Sequence, residues 1–271
     1  LHGNIWKFDL RDNTVANGGL PVFTAEQAGL RQPITGGIEA GAGPGGGVLL
    51  FFGTGSYAFE NDATDQSIQS LYAVLDKSPA TPATASRSDL AEQVLSVTVS
   101  GLRALSTNAV DYVTQNGWHM DLVTTDGTDT FQDGERFVGT PRLQSGLILF
   151  PAFQPGGAGG DPCAAGGTNW LYAMNAVSGS AGLSGLRAGS PTGTAAPQGT
   201  AGTRLDTAGS TPVRDVAVLL LPAPGSVAAG ATAAEIAEAL GRTCDLVISV
   251  AGAPPYYLPR ACGRQSWRQV R

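Results

Sequence analysis

Glycine and proline constrain this chain more than any other feature. Its 271 residues hold 38 glycines and 17 prolines, about one residue in five. Both penalise helix interiors, glycine through backbone entropy and proline through its ring and missing N–H. Punctuation that dense excludes a helix bundle and suits short strands joined by turns and long surface loops. The length is ample for a sizeable core, and 42% of residues are hydrophobic against 14% charged. The formal net charge is −6, and only Lys7 and Lys77 are lysines among sixteen cations. With a pI near 4.8, no overall field attracts nucleic acid or an anionic membrane. No apolar run approaches the ~20 residues that span a bilayer, so no transmembrane segment is expected. The first residue is Leu1, which reads as a processed or cut chain whose start says nothing direct about targeting.

A short aromatic motif recurs along the chain. Its copies are Asn4-Ile-Trp-Lys-Phe-Asp-Leu, Ser70-Leu-Tyr-Ala-Val-Leu-Asp and Trp170-Leu-Tyr-Ala-Met-Asn-Ala. In each, aliphatic residues flank an aromatic one and an Asp or Asn precedes a turn. Strongly apolar strands lead into the second and third copies, Val48-Leu-Leu-Phe-Phe-Gly and Gly146-Leu-Ile-Leu-Phe-Pro-Ala-Phe. Gln32-Pro-Ile-Thr and Gly139-Thr-Pro-Arg-Leu read as inner strands ahead of these, and a later strand is expected after Thr211. Tyr72 and Tyr172 stand 100 residues apart, which accommodates two blade-sized units. The pattern predicts an all-β fold of the propeller type, with irregular blades that bury faces no blade covers alone. Trp6, Phe8, Tyr72 and Trp170 are then expected in buried blade-to-blade contacts.

Helix signals are few. Thr232-Ala-Ala-Glu235 is a capping box that predicts one short helix near 232–241, closed by Gly241. A weaker helix candidate spans 88–95. The low-complexity stretches 156–168 and 178–210 are expected as surface loops, since neither buries enough apolar area to offset its ordering entropy.

Little in the sequence asks for catalysis. His119, in Gly117-Trp-His-Met-Asp-Leu, alternates onto the polar face of a strand and reads as a surface histidine. No Gly-x-Ser-x-Gly elbow accompanies it. The glycine run 41–47 lacks the helix and Lys-Ser or Lys-Thr that a phosphate loop needs, and reads as a linker between strands. The acidic clusters 60–65 and 126–135 lack the alternating spacing of a calcium loop and read as solvated acids. Three cysteines, Cys163, Cys244 and Cys262, allow at most one internal disulfide. Two strands folding back between Cys244 and Cys262 would bring these two level, so a Cys244–Cys262 bond and an oxidising compartment are expected.

An ordered set of motifs identifies a resemblance. Gly3-Asn-Ile-Trp-Lys-Phe-Asp-Leu10, Asp65-Gln-Ser-Ile-Gln-Ser-Leu-Tyr72, Arg87-Ser-Asp-Leu-Ala-Glu-Gln93, Gly117-Trp-His-Met-Asp-Leu122, Gly134-Glu-Arg-Phe-Val138, Pro162-Cys-Ala-Ala-Gly-Gly-Thr-Asn-Trp170 and Arg264-Gln-Ser-Trp-Arg268 follow one another. Together they resemble the C-terminal β-propeller of PilY-type proteins, the type IV pilus tip adhesins and biogenesis factors of Gram-negative bacteria. The resemblance runs end to end and is loosest over 178–258. It implies a non-enzymatic protein at the pilus tip and outer cell surface, exported through the periplasm. It implies minor pilins as partners in priming assembly and opposing retraction, and host-cell or abiotic surfaces as contacts. It also implies calcium in the full-length protein, held by a loop expected upstream of Leu1, with no ligands in this chain. The 271 residues would then form the later part of a propeller. A quinone-dependent dehydrogenase is the alternative on a similar scaffold, but it would need cation ligands, a base and plates around the quinone, and none of these is visible.

The last residues add one candidate interface. Arg260, Arg264, Arg268 and Arg271 surround Trp267 on an otherwise acidic chain. This tail reads either as the closing strand of the last blade or as a docking element for a minor pilin, with Arg264, Trp267, Arg268 and Arg271 as anchors.

Overall fold

A computed structural model describes residues 2–77, 83–98, 101–156, 166–205, 207, 211–220, 230, 232 and 243–261. The described residues are all-β, 46% strand, with no helix of seven or more residues among them. Three antiparallel meanders form the blade-like units. The first joins the strands Glu39–Ala42, Val48–Gly53 and Ser70–Asp76. The second joins Arg142–Gln144, Leu147–Pro155 and Gly167–Asn175. The third joins Ala217–Leu220, Thr243–Ser249 and Tyr256–Ala261, with Arg187–Ala188 at its edge.

The first two meanders belong to one sheet. Gly117–Thr125 adds to the first and Thr200–Leu205 to the second. Ala91–Val97 and Leu102–Leu105 bridge the two halves, the former pairing in parallel with Gly117–Thr125. The outer strands Glu39–Ala42 and Arg142–Gln144 approach one another, so the sheet nearly closes on itself. Gly117 makes one of these pairings possible: at φ +126 a Cβ would lie 1.9 Å from the Ala73 carbonyl oxygen.

Long apolar runs follow from burial on both faces. Along Leu147–Pro155, Ile148, Phe150 and Ala152 enter the interior core, while Leu147 and Leu149 face a second core beneath the third meander. Along Ser70–Asp76, Leu71, Ala73 and Leu75 enter the interior core. Tyr72 and Val74 face a third core covered by Ile5, Phe23 and Ala25 of the N-terminal strands.

Several expectations are corrected here. The helix candidate at 88–95 is the strand Ala91–Val97, preceded by the single 3-10 turn Arg87–Asp89. Ala91, Gln93 and Leu95 are buried while Glu92 and Val94 face out, a period of two that paired strands on both sides select. The segment 178–210 is more than a surface loop. It buries Leu183 and Leu186 and supplies the strand Thr200–Leu205 to the main sheet. Gln32-Pro-Ile-Thr contributes one bridge, Ile34 to Gly55, and Glu39–Ala42 takes the expected inner-strand place. Trp6 and Phe8 are exposed, 44% and 62%, in a copy of the motif that forms only two-residue strands. Tyr72, Tyr172 and Trp170 are buried as expected. The run 41–47 is the turn of the first hairpin, in keeping with a linker between strands.

Strands flank the turn at 251–255, pairing Thr243 with Ala261 and Cys244 with Arg260. Cys244 is disulfide-bonded. Cys262, Cys163, the helix expected at 232–241, most of the 156–168 loop and the tail residues Arg264, Trp267, Arg268 and Arg271 lie outside the described residues.

Candidate functional site

The two tyrosine copies each meet an arginine and a carboxylate, in different surroundings. Around Tyr172 the cluster is sealed. Arg103, on the strand Leu102–Leu105, lies with its guanidinium 3.6 Å from the Trp170 ring centre. Its Nη1 donates to Glu135 Oε2 at 2.5 Å and to the Tyr172 hydroxyl. Gly202 leaves room for the tyrosine, since a Cβ there would come within 2.6 Å of its ring. Burial pushes the Glu135 carboxyl up, against the opposing pull of Arg103. It also raises the Tyr172 hydroxyl well above its ordinary value. Among the described residues Glu135 Oε1 has no hydrogen-bond partner.

Around Tyr72 the cluster opens outward. The Tyr72 hydroxyl donates to Gln32 Oε1 at 2.5 Å, and Gln32 Nε2 donates to the Ile68 carbonyl and Ser70 Oγ. Ser70 Oγ donates to Asp121 Oδ1 at 2.6 Å, and Arg87 Nη2 to Asp121 Oδ2 at 2.7 Å. Arg87 Nη1 reaches Ser70 Oγ and the Tyr72 hydroxyl at 3.2 and 3.3 Å. Burial lowers the Arg87 pKa, but Asp121 and Tyr72 outweigh it and leave it raised.

His119 belongs to this second cluster. It was expected on a solvated face, yet it is only 4% exposed. The reason is its register: it pairs with Tyr72 on one side and Glu92 on the other, and the N-terminal strands cover that face. Its ring lies 6.1 Å from that of Tyr72, and its buried Nδ1 has no hydrogen-bond partner among the described residues. Burial, aided by Arg87 and opposed by Asp121, pulls its pKa down to about 4, so the ring is neutral near pH 7. A cleft of about 660 Å³ opens beside it, lined by Thr24, Arg31, Ser86, Arg87 and Glu92 among others. Among the described residues His119 makes no hydrogen bond to a hydroxyl or thiol.

The acidic clusters divide as well. In the first, Asp62 accepts from Ser56 Oγ and from the backbone N–H groups of Ala58 and Phe59. Buried Arg136 pins the same loop through the carbonyls of Ser56, Asp62 and Asp65. In the second, Asp126 closes its own turn by accepting from Thr128 and Asp129, while Glu135 is the buried partner of Arg103. Among the described residues, no three His, Cys, Asp or Glu side chains gather as a cation site. A separate apolar groove of about 470 Å³ runs past Trp6, Val22, Ile38 and Val48, beside the Lys7–Asp76 ion pair at 2.6 Å. Among the described residues no helix is long and apolar enough to cross a membrane.

Sequence reasoning missed both polar clusters as units. The signal was there in Arg103 within Leu-Arg-Ala-Leu and Asp121 within Met-Asp-Leu-Val, charges set among strand residues otherwise apolar.

No family model matches the chain. It is 34% identical over 296 residues to a type IV pilus biogenesis factor PilY1 homolog of Xylella fastidiosa, an alignment covering the whole chain and 20% of that relative. It is 29% identical over 224 residues to type IV pilus biogenesis factor PilY1 of Pseudomonas aeruginosa PAO1, covering 66% of the chain and 19% of the relative. The chain thus spans about a fifth of the length of these relatives. The crystal structure of the Pseudomonas aeruginosa PilY1 C-terminal domain superposes with a TM-score of 0.63 at 19% identity, over 96% of this chain and 56% of that one. The blade-like meanders and the end-to-end similarity agree, and the chain belongs to the family of PilY1 type IV pilus biogenesis factors.

Proposed function

We propose that this chain is part of a surface-exposed, non-enzymatic factor that acts at the pilus tip. In this reading it is exported through the periplasm, primes pilus assembly with minor pilins, opposes retraction and mediates attachment and twitching on host or abiotic surfaces. The observation that carries the proposal is the 34% identity along the whole chain to a type IV pilus biogenesis factor. The tail residues Arg264, Trp267, Arg268 and Arg271 are its proposed pilin anchors, and the Cys244–Cys262 bond its proposed brace. Calcium is proposed for the whole protein on residues outside this chain. Nothing in the two polar clusters favours the quinone-dependent alternative.

The test is in-frame removal of this region from the full-length protein, with surface pili counted in strains that can and cannot retract. Pili should disappear where retraction works and return where it is blocked. Unchanged piliation in both strains would overturn the proposal.

A further inference from the structure

We propose that the N-terminal strands form a layer that lifts off the main sheet in acid, with His119 beneath it as the trigger. The layer is built of separate two-stranded pairs: Asn4–Ile5 with Phe23–Thr24, Phe8–Asp9 with Thr14–Val15, and Glu26–Gln27 with Leu30–Arg31. Among the described residues none of these strands joins the ladder of the main sheet. Ile5, Phe23 and Ala25 hold the layer down on Phe52, Tyr72, Val74 and Leu90. Polar ties add Gln27 Nε2 donating to Asp121 Oδ2 at 3.0 Å and the Ala85 N–H donating to the Val22 carbonyl at 2.9 Å. An attachment resting on so few apolar contacts and polar ties belongs to the low-stability end of a fold, where opening is local.

His119 lies under this layer. It shares a face of the sheet with Tyr72, its partner in register, and with Asp121 two residues on, which accepts from Gln27 of the layer. Its Nδ1 is closed to solvent and has no hydrogen-bond partner among the described residues. The titratable and charged groups around it are Tyr72 and Glu92 on the neighbouring strands, Asp121 on its own, Arg87, and Glu26 and Arg31 of the layer. Burial and then Arg87 oppose a second proton on the ring, and they outweigh Asp121, which favours it. That carboxylate already accepts from Arg87, Ser70 and Gln27. Glu92 is exposed, and Glu26 faces Arg31 at 3.4 Å. An imidazolium under the closed layer is therefore poorly solvated, whereas lifting the layer gives it water. The open form takes the proton more readily, so acid shifts the balance toward it.

The test is amide hydrogen exchange of the 271-residue chain at pH 7.5 and 5.5, corrected for the intrinsic pH dependence of exchange. Ordinary carboxylates stay ionised across this range, so the two histidines are the groups that titrate. The raised carboxyl of Glu135 belongs to the interior cluster and not to this seam. Val22 and Ala25, whose N–H groups bond within the layer, should open about tenfold more often at pH 5.5. Amides of the strand Leu147–Pro155 should stay far slower at both values. His119→Gln should abolish the rise, and so should His119→Met, an apolar change of similar size. His2→Gln, at an exposed residue, should retain it, which assigns the rise to His119 even if neither of those variants folds. The proposal is overturned if the layer opens equally often at both pH values, or if its amides exchange no faster than those of Leu147–Pro155. A rise that survives either His119 variant, or that His2→Gln removes, also overturns it.

Discussion

Leu71-Tyr72-Ala73 and Leu171-Tyr172-Ala173 are the same three residues in the same kind of strand, yet they present opposite faces. Leu71 and Ala73 enter the interior core, whereas their counterparts Leu171 and Ala173 face the third meander. Tyr172 enters the interior and Tyr72 turns to the N-terminal strands. Side chains alternate along a strand, so a single step in register exchanges inside for outside. Both strands can tolerate that exchange because both of their faces are covered. The consequence is chemical. The interior tyrosine shares Arg103 and Glu135, both nearly closed to solvent, while the outer one shares Arg87 and Asp121 at the edge of an open cleft. A repeated motif therefore specifies burial without specifying the job of the buried group.

The sharpest way to break the comparison is to remove each arginine. Arg103→Met strands Glu135 and the Tyr172 hydroxyl in the interior and should cost about 3–5 kcal/mol. Arg87→Met should cost about 1–2 kcal/mol, because Asp121 keeps its bonds from Ser70 and Gln27 and some access to water. Urea unfolding of both variants measures the gap, and equal losses would erase the distinction.

Next in size is a pH effect carried by His119. The folded pKa is about 4 and the unfolded value 6.5, so the unfolded chain binds the proton more readily between them. Stability should be level above pH 6.5, decline as the pH falls through that window, and stop declining below about pH 4. The full loss is about 3 kcal/mol. The slope should vanish in His119→Gln, and a slope that survives would place the titration elsewhere.

The hydroxyls offer a smaller contrast. Tyr172→Phe leaves an Arg103 donor without its acceptor and should cost about 2 kcal/mol. Tyr72→Phe should cost about 1 kcal/mol, since Gln32 and Arg87 each retain other partners. Trp6→Ala, at the exposed copy of the motif, should shift stability by less than about 1 kcal/mol. Thermal melts of the three variants should rank in that order.

What was legible in the sequence was whatever depends on local pattern. Glycine and proline density indicated many strands, the apolar runs marked Val48–Gly53 and Leu147–Pro155, and an extended segment after Cys244 indicated the last hairpin. What was not legible depends on which strand lies beside which. His119 looked solvated because its alternation was correct but its covering layer comes from about a hundred residues earlier in the chain. Arg87 and Asp121 are 34 residues apart, and Arg103 and Glu135 are 32, with partners chosen by sheet order rather than by spacing. Residues 88–95, a weaker helix candidate in the sequence, enter a strand through the single 3-10 turn Arg87–Asp89. Local propensity yielded there to pairing on both edges.

The most direct measurement is a pair of double-mutant cycles, Arg103–Glu135 and Arg87–Asp121, run at low and high salt. For the sealed pair the expected coupling is about 3 kcal/mol or more, unchanged by salt. For the open pair it is about 1 kcal/mol, falling as salt is added. Equal couplings with equal salt dependence would contradict the division of the two tyrosine copies into a sealed structural cluster and an open one.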